Sequence, residues 1–208
     1  MRRRAHPKAI TLVLALCALG GAALAQSEPS GVPRIGLALT GERAAKTIQT
    51  GNTAAASTAI AEYEGVYKKR FKNALVDGSK YDSENILEIV RYGDDTVYFR
   101  THLEFFNGHL CGLYGIAKYE DGAFLFTESK PMAATPPCKL RIKLSKGEVV
   151  FLDEGGSCKN SFCGARGIFD GASFPNKAKR KIRYMERLKK SREYEEAVRD
   201  YEEWTKGK

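Results

Sequence analysis

Apolar and polar residues alternate from Tyr63 to the neighbourhood of Phe174. A period of two is typical of strands that bury one face. Asn107-Gly108, Asp121-Gly122 and Lys146-Gly147 interrupt the alternation, and such pairs accept the positive φ that tight hairpin turns require. The predicted strands lie near Glu62–Lys72, Glu84–Tyr92, Thr96–Phe106, His109–Tyr119, Ala123–Ser129, Cys138–Ser145, Glu148–Asp153 and Gly167–Phe174. The pattern therefore predicts a mainly β protein, a small antiparallel up-and-down barrel of about eight strands followed by a C-terminal helix.

The turns of such a meander alternate between its two ends. Short turns at residues 93–95, 121–122 and 146–147 fall at one end. The Asn107-Gly108 turn and the longer loops at residues 131–137 and 155–166 fall at the other end. Long loops on a rigid scaffold commonly carry binding residues. We therefore expect a binding site, if the barrel has one, at this second end.

A helical period replaces the alternation at Asn176, which predicts a charged C-terminal helix over residues 176–208. This tail holds 12 basic and 7 acidic residues, and nine of the basic residues fall within 177–192. A basic run attracts anionic polymers or lipid head groups, although it is also typical of a solvated helix face. The residues predicted to contact an anionic surface are Lys177, Lys179, Arg180, Lys181, Arg183, Lys189 and Lys190.

The tail has two apolar stripes. One consists of Ile182, Met185 and Leu188, and the other of Tyr194, Val198, Tyr201 and Trp204. They point in different directions, so a single coiled-coil seam is not expected. Packing on the barrel or on a second copy is the alternative to surface binding, and the acidic run at 193–203 could neutralise the basic run of another copy. Because all predicted strands precede residue 176, we expect the barrel to fold without the tail.

The first 25 residues have the features of a cleavable signal peptide. Basic residues at positions 2–4 precede an apolar run over Ile10–Leu19, and Ala23-Leu24-Ala25 supplies the small residues of a cleavage site. The apolar run is too short to span a bilayer, and no transmembrane segment is expected in the mature chain. Cleavage lowers the formal net charge from +9 to +5. We predict a periplasmic or secreted protein.

Residues 26–60 are dominated by small and polar residues, and we expect a flexible linker there. A short helix over Ala54–Glu62 is compatible with the sequence. The predicted organisation is therefore a signal peptide at 1–25, a linker at 26–60, a disulfide-stapled barrel at 61–175 and the helical tail at 176–208.

The mature chain has four cysteines, Cys111, Cys138, Cys158 and Cys163. An even number in an exported chain predicts two disulfides, with three possible pairings. We favour Cys158–Cys163 with Cys111–Cys138, because the first pair is close in sequence. A four-cysteine zinc site is disfavoured, since the spacing lacks the close pairs of zinc ribbons. We predict no metal and no cofactor.

Arg166 stands between Gly164 and Gly167, where free backbone N–H groups beside a guanidinium could bind an anion. Asn107 and His109 lie at the same predicted end of the barrel and are further candidates for partner binding. With a two-residue turn at Asn107-Gly108, His102, Glu104, His109 and Cys111 would share one face of the hairpin. Cross-strand polar pairs are favoured there over metal ligands, because His102 and His109 are two rungs apart.

Two motifs, Tyr63-x-Gly65-x-Tyr67 and Cys158-x4-Cys163-Gly-Ala-Arg-Gly, together with the strand spacing, resemble a group of small exported bacterial cysteine-containing β-barrel proteins. Some of these carry lysozyme-inhibitor names, and the resemblance covers residues 60–175. Membrane-bound lysozyme inhibitors of the C type are similar eight-stranded barrels, in which a Ser- and Gly-rich loop ending in a basic residue and Tyr enters the lysozyme cleft. The resemblance implies this role for Gly78-Ser79-Lys80-Tyr81, and hence partner contacts for Ser79 and Lys80.

The sequence contains no glycine-rich phosphate loop, zinc-protease helix motif or Gly-x-Ser-x-Gly elbow. We therefore predict a non-enzymatic binding or structural protein of the bacterial cell envelope. The alternative is an inhibitor of lysozyme or another wall-degrading enzyme, acting by loop insertion. A hydrolase using His102 or His109 is a third, weaker hypothesis. An envelope protein or an anionic envelope polymer is the expected partner, and nucleic acid is not.

Overall fold

The computed structural model describes residues 53–133 and 135–207. Each strand pairs antiparallel with the next along the chain, in the order β1 to β8. The strands are β1 (Gly65–Ala74), β2 (Lys80–Arg91), β3 (Thr96–Glu104), β4 (Leu110–Glu120), β5 (Ala123–Thr127), β6 (Lys139–Ser145), β7 (Glu148–Leu152) and β8 (Ser173–Pro175). The predicted up-and-down barrel is confirmed, in a nearly closed form. The predicted signal peptide lies outside the described residues.

Two hairpin turns follow the predicted chemistry. Asp121 and Lys146 both have a φ of 50°, and each is followed by a glycine with a φ near 80°. Two residues separate the paired strand ends in both turns. Only the first position of each turn places a side chain in the left-handed region, which costs some strain. Glycine at the second position adopts its positive φ without that cost.

Aromatic side chains dominate the interior of the barrel. Tyr67, Phe99, Phe124, Phe151 and Phe174 are fully buried. Their rings meet mainly edge to face, as in the Phe151–Phe174 pair with ring centroids 6.0 Å apart. Each such side chain removes a large apolar area from water, and the edge-to-face geometry adds to that gain.

A helix, α1, occupies residues 53–63 and packs into the core. Ala56, Ala59, Ile60 and Tyr63 are buried. The Leu144 N–H donates a hydrogen bond to the Tyr63 hydroxyl. Residues 53–60 of the predicted linker are therefore helical, and the rest of the predicted linker lies outside the described residues. The spacing of these four positions, at i, i+3, i+4 and i+7, is a helical signal that sequence analysis could have weighted more.

The tail is helical in part. Helices α3 (Met185–Lys189) and α4 (Arg192–Lys206) follow a segment that includes an isolated bridge between Arg180 and Val66. The C-terminal helix is confirmed for α4, where Ser191 caps the first turn by accepting a hydrogen bond from Tyr194 N–H. A continuous helix from residue 176 is wrong, because the Arg180 backbone pairs with β1 instead.

Both apolar stripes of the tail pack on the outer face of the barrel. Ile182, Leu188 and Ala197 join a second buried cluster with Val90 and Tyr98 of the sheet. This supports the barrel-packing alternative over pairing with a second copy. It also argues against the expectation that the barrel folds equally well without residues 176–208, since their removal would expose this apolar face.

No helix within residues 53–133 and 135–207 is long and apolar enough to cross a membrane.

Candidate binding site at the loop end of the barrel

Four loops gather at one end of the barrel, which we call the loop end. They follow the odd-numbered strands and cover residues 75–79, 105–109, 128–138 and 153–172. Because neighbouring strands are antiparallel throughout, these loops leave the sheet in the same direction. A short helix, α2 (Ser157–Phe162), lies in the last of them and buries Cys158 in the core.

Two disulfides staple the loop end, Cys111–Cys163 and Cys138–Cys158. The presence of two disulfides is confirmed, but the favoured pairing is wrong. Cys158 lies within α2, and Cys163 directly follows that helix. Five residues along a helix correspond to a rise of roughly 7.5 Å along its axis and turn the side chains in different directions, an arrangement that does not suit a disulfide. Each cysteine instead meets a strand residue, with Cα–Cα distances of 4.1 and 4.3 Å.

The four cysteines are therefore not available as thiolate ligands for zinc. Within the described residues, no group of three or more His, Cys, Asp and Glu side chains could hold a metal ion.

The segment Cys163 to Gly167 is shaped by the disulfide beside it. A Cβ atom on Gly167 would lie 2.5 Å from the Cys111 sulfur, so only glycine fits there. The Gly164 N–H donates to the Leu110 carbonyl at 2.7 Å, and the Gly167 N–H donates to the Gly164 carbonyl at 2.9 Å. The N–H groups of Gly164 and Gly167 are therefore not free to bind an anion.

Arg166 lies at the tip of this turn and is exposed. Its guanidinium lies over the Phe106 ring, 5.6 Å from the ring centroid. No acidic side chain pairs with it among the described residues. A guanidinium stacked on an aromatic face keeps its N–H donors available, so Arg166 can bind a carboxylate or phosphate of a partner.

The loops at 75–79 and 105–109 brace each other. The Asn107 side-chain oxygen accepts a hydrogen bond from Val76 N–H at 3.4 Å, and the Tyr81 hydroxyl accepts one from Gly108 N–H at 3.2 Å. The Ser79 hydroxyl and N–H both donate to Asp77, which lowers the pKa of that carboxyl. Asn107 and Ser79 thus hold the loops in shape.

The remaining two predicted contact residues at this end differ in exposure. Lys80 is exposed, whereas His109 is half-buried beside Gly164. Lys80 therefore presents more of its side chain to a partner than His109 does.

The turn between β3 and β4 is longer than the sequence predicted. Phe105 N–H donates to the His109 carbonyl, and Glu104 pairs with Leu110. This register is shifted by one residue from the predicted two-residue turn, so Cys111 faces the interior while His102 and Glu104 face outward. The four side chains do not share one face. His102 lies 3.6 Å from Glu104, as a polar pair on a single strand.

Large apolar side chains are exposed mainly at the loop end. Within the described residues, six large apolar side chains are exposed, and all six belong to this end or to the strand residue beside it. They are Leu75, Val76, Phe106, Leu110, Met132 and Ile168. Val76 is 71% exposed at the tip of its loop. Sequence analysis missed these residues, because alternation alone does not show which apolar side chains a loop turns outward.

The cations assigned to an anionic surface lie on the tail before α4. The Lys179 ammonium donates to the Glu62 carbonyl at the end of α1, and the Arg180 guanidinium donates to the carbonyls of Lys177 and Lys179. Arg180 also exchanges two backbone hydrogen bonds with Val66 of β1. The other five have no acidic partner among the described residues, and all five are exposed. They are Lys177, Lys181, Arg183, Lys189 and Lys190.

Five of the six acidic residues of α4 contact side chains of the barrel. Asp200 and Glu203 contact the Lys130 ammonium at 2.8 and 2.9 Å, and Glu196 accepts a hydrogen bond from the Tyr114 hydroxyl at 2.6 Å. These acids are therefore not free to neutralise the basic run of another copy. The basic run keeps its positive charge on the outer surface.

A buried carboxylate fixes the tail to the sheet, in what we call the Glu88 cluster (Glu88, Arg100, Tyr184 and Glu193). Glu88 is almost fully buried and contacts the Arg100 guanidinium at 2.6 Å. Its second oxygen accepts a hydrogen bond from the Tyr184 hydroxyl. Arg100 also lies 3.7 Å from Glu193 of α4. One carboxylate on β2 thus links the neighbouring strand to two parts of the tail.

Alkaline pH should loosen the tail. The hydrogen bond to Glu196 raises the pKa of Tyr114 to about 12, and burial followed by the bond to Glu88 raises the pKa of Tyr184 to about 12. An unfolded tyrosine has a pKa near 10. Because the folded values are higher, this stabilisation is fully present below pH 10 and is lost as the pH rises toward 12. The urea midpoint should therefore be steady to pH 9.5 and fall above pH 10.

The matched control is the double variant Tyr114→Phe with Tyr184→Phe, which has no hydroxyl to ionise at these positions. Its urea midpoint should be lower at pH 8 but should fall less between pH 10 and 12. An equal alkaline fall in both proteins would show that these two tyrosines do not couple the tail to pH.

No protein-family model matches this chain, and no curated protein and no solved structure matches it either.

Proposed function

We propose that this chain is an exported, non-enzymatic binding protein of the bacterial cell envelope, and that its loop end contacts a partner protein. The observation that carries the proposal is the clustering of the six exposed large apolar side chains at this end. Two disulfides support export, because an oxidising compartment lets such bonds persist. The signal-peptide features of residues 1–25 agree with the same compartment.

The chemistry of the loop end favours a protein surface as the ligand. Exposed apolar side chains beside an arginine are the combination enriched at the centres of protein interfaces. Phe106 and Arg166 supply an aromatic ring and a guanidinium in contact with each other. The disulfides and loop hydrogen bonds hold this surface in one conformation, so binding costs little ordering entropy.

Site-specific photocross-linking in the envelope tests the proposal. A photoreactive residue is placed at Val76 or Phe106 of the full chain, and at Lys146 as the control. Lys146 lies in a turn at the opposite end of the barrel. Cross-links to a discrete partner should form from the first two positions and not from Lys146. Cross-links of equal yield from all three positions, or from none, would contradict a binding site at the loop end.

Substitutions at the same surface give the energetic test. Phe106→Ser and Arg166→Ala should each weaken binding of the cross-linked partner by roughly tenfold or more, since central interface residues contribute about 2 kcal/mol or more. Lys146→Ala is the matched control and should leave the affinity unchanged. Unfolding midpoints of the free variants separate a loss of binding from a loss of fold.

A wall-degrading enzyme is the second candidate partner, on one specific observation. Residues 75–80 are all exposed, and the Asp77–Ser79 hydrogen bonds hold them as a compact projecting loop. Such a loop has the shape that cleft insertion requires. Titrating the purified chain into several lysozyme types should then abolish activity, and Lys80→Ala should weaken the inhibition. No loss of activity at micromolar excess would remove this candidate.

A further inference from the structure

The barrel is open along one edge of β1. On one side β1 pairs with β2 over its whole length. On the other side the nearest strand, β8, has three residues and hydrogen-bonds with β7 instead. Within the part of the chain that the structure describes, the backbone connection on this open side is at Val66, whose N–H and carbonyl exchange hydrogen bonds with Arg180 at 2.8 and 2.9 Å.

The alternation of backbone groups shows which residues face the opening. Since Val66 bonds outward, the even-numbered residues of β1 direct their N–H and carbonyl groups away from β2. Within the described residues, no backbone hydrogen bond satisfies this side of Lys68, Arg70 or Lys72. At the end of β1, the Ala74 N–H donates a hydrogen bond to the Asn73 side-chain oxygen, so the stretch of unpaired backbone groups ends there. We call the segment Lys68–Lys72 the open edge.

The open edge is strongly basic. Lys68, Lys69, Arg70 and Lys72 are all exposed. Glu84 contacts Lys68 and Arg70 at 2.7 and 2.8 Å, so one carboxylate serves two cations there. Lys72 forms an ion pair with Asp82, and both side chains are largely exposed. Ion pairs in solvent contribute little to stability. An excess of positive charge therefore lies along the unpaired backbone groups.

The positive charge of the open edge determines which kind of strand can pair with it. A second copy pairing edge to edge would set lysines opposite lysines, and like charges directly opposite destabilise a sheet. Charged edge strands commonly prevent that kind of self-association. A strand with acidic side chains would instead gain both the backbone hydrogen bonds and cross-strand ion pairs.

We propose that the open edge binds an extended acidic segment of a partner protein by β-strand addition. The N–H and carbonyl groups of Lys68, Arg70 and Lys72 make the ladder, and the basic side chains select acidic residues in the added strand. This surface is separate from the loop end, and the proposal does not depend on the function proposed for that end.

Amide hydrogen exchange of the full chain provides the test. In the free protein, the Lys68, Arg70 and Lys72 amides should exchange rapidly, while those of Lys69 and Phe71 are protected by β2. The probe is an acetylated seven-residue peptide of alternating Glu and Thr. At saturation it should slow the three open-edge amides by about tenfold or more, and the corresponding Lys and Thr peptide should not.

A proline variant separates backbone pairing from charge attraction. Arg70→Pro removes an N–H that faces away from β2, which an edge strand tolerates. Arg70→Ala is the matched control, because it removes the same charge and keeps the N–H. Peptide affinity should be at least about tenfold lower in Arg70→Pro than in Arg70→Ala. The exchange measurement on the unmodified chain stands by itself if the proline variant does not fold.

Three results would each overturn the proposal. Peptide binding without slower exchange at the open edge would mean ion pairing alone. Slow exchange of these amides in the free, monomeric chain would mean that the edge is already occupied. A concentration-dependent dimer that Arg70→Pro abolishes would make a second copy the occupant.

Discussion

Replacing Cys111 and Cys163 together with alanine should lower the free energy of unfolding by about 4 kcal/mol. The two cysteines are 52 residues apart in sequence, and closing so long a loop removes much conformational entropy from the unfolded chain. The bridge is also packed against Gly167, so its loss leaves a gap beneath the Arg166 turn. Urea unfolding under non-reducing conditions measures the loss.

The control is the double variant Cys138→Ala with Cys158→Ala, which opens a bridge between residues 20 apart. The free energy of unfolding should fall less in this variant, by about 3 kcal/mol, because the loop that the Cys138–Cys158 bridge closes is shorter. Peptide mapping of the first variant should show Cys138 and Cys158 still joined. Two free thiols at those positions would instead support the Cys158–Cys163 pairing and contradict the structure.

Glu88→Gln should lower the free energy of unfolding by about 2 to 3 kcal/mol, since it leaves a partly buried guanidinium without its anionic partner. The side chain of Glu88 is 4% exposed and that of Arg100 is 32% exposed, so solvent screens the loss only in part. Tyr184 loses its charged acceptor as well. Hydrogen exchange should therefore accelerate in α3 and α4, which Glu88 fixes to the sheet.

Glu84→Gln is the matched control for this substitution. Glu84 lies on the same strand and the same face and also pairs with an arginine, Arg70, but that arginine is largely exposed. Glu84→Gln should lower the free energy of unfolding by less than about 1 kcal/mol. Similar losses for the two variants would show that burial of Glu88 adds nothing to the attachment of the tail.

The strand order and the short turns could be predicted from sequence because their causes are local. Alternating side chains show which residues line the interior, and Asp121-Gly122 and Lys146-Gly147 supply the backbone freedom that their turns need. The gathering of the cysteines at one end follows from the same reasoning, since an antiparallel meander alternates its loops.

The candidate site could be predicted in its place but not in its detail. Asn107, His109 and Arg166 lie at the loop end, where their turns were predicted. Ser79 and Lys80, which only the resemblance singled out, lie at the same end. The exposed Val76 and Phe106 were missed, because only the folded loops show which apolar side chains face solvent. The route of the tail was also missed, since the Val66–Arg180 pair joins residues that are distant in sequence.

The sequence by itself determined the mainly β architecture, its eight strands, the loop end and the presence of two disulfides, all of which depend on local pattern and composition. Only the tertiary structure decided which cysteines pair, the register of the β3–β4 turn, the packing of α1 and the tail, and the open edge of β1. Each of these depends on which distant residues meet in the folded chain. A shift of one residue in strand register at Cys111, or of one helical turn at Cys158, changes which residues meet. The local sequence pattern stays the same in both cases.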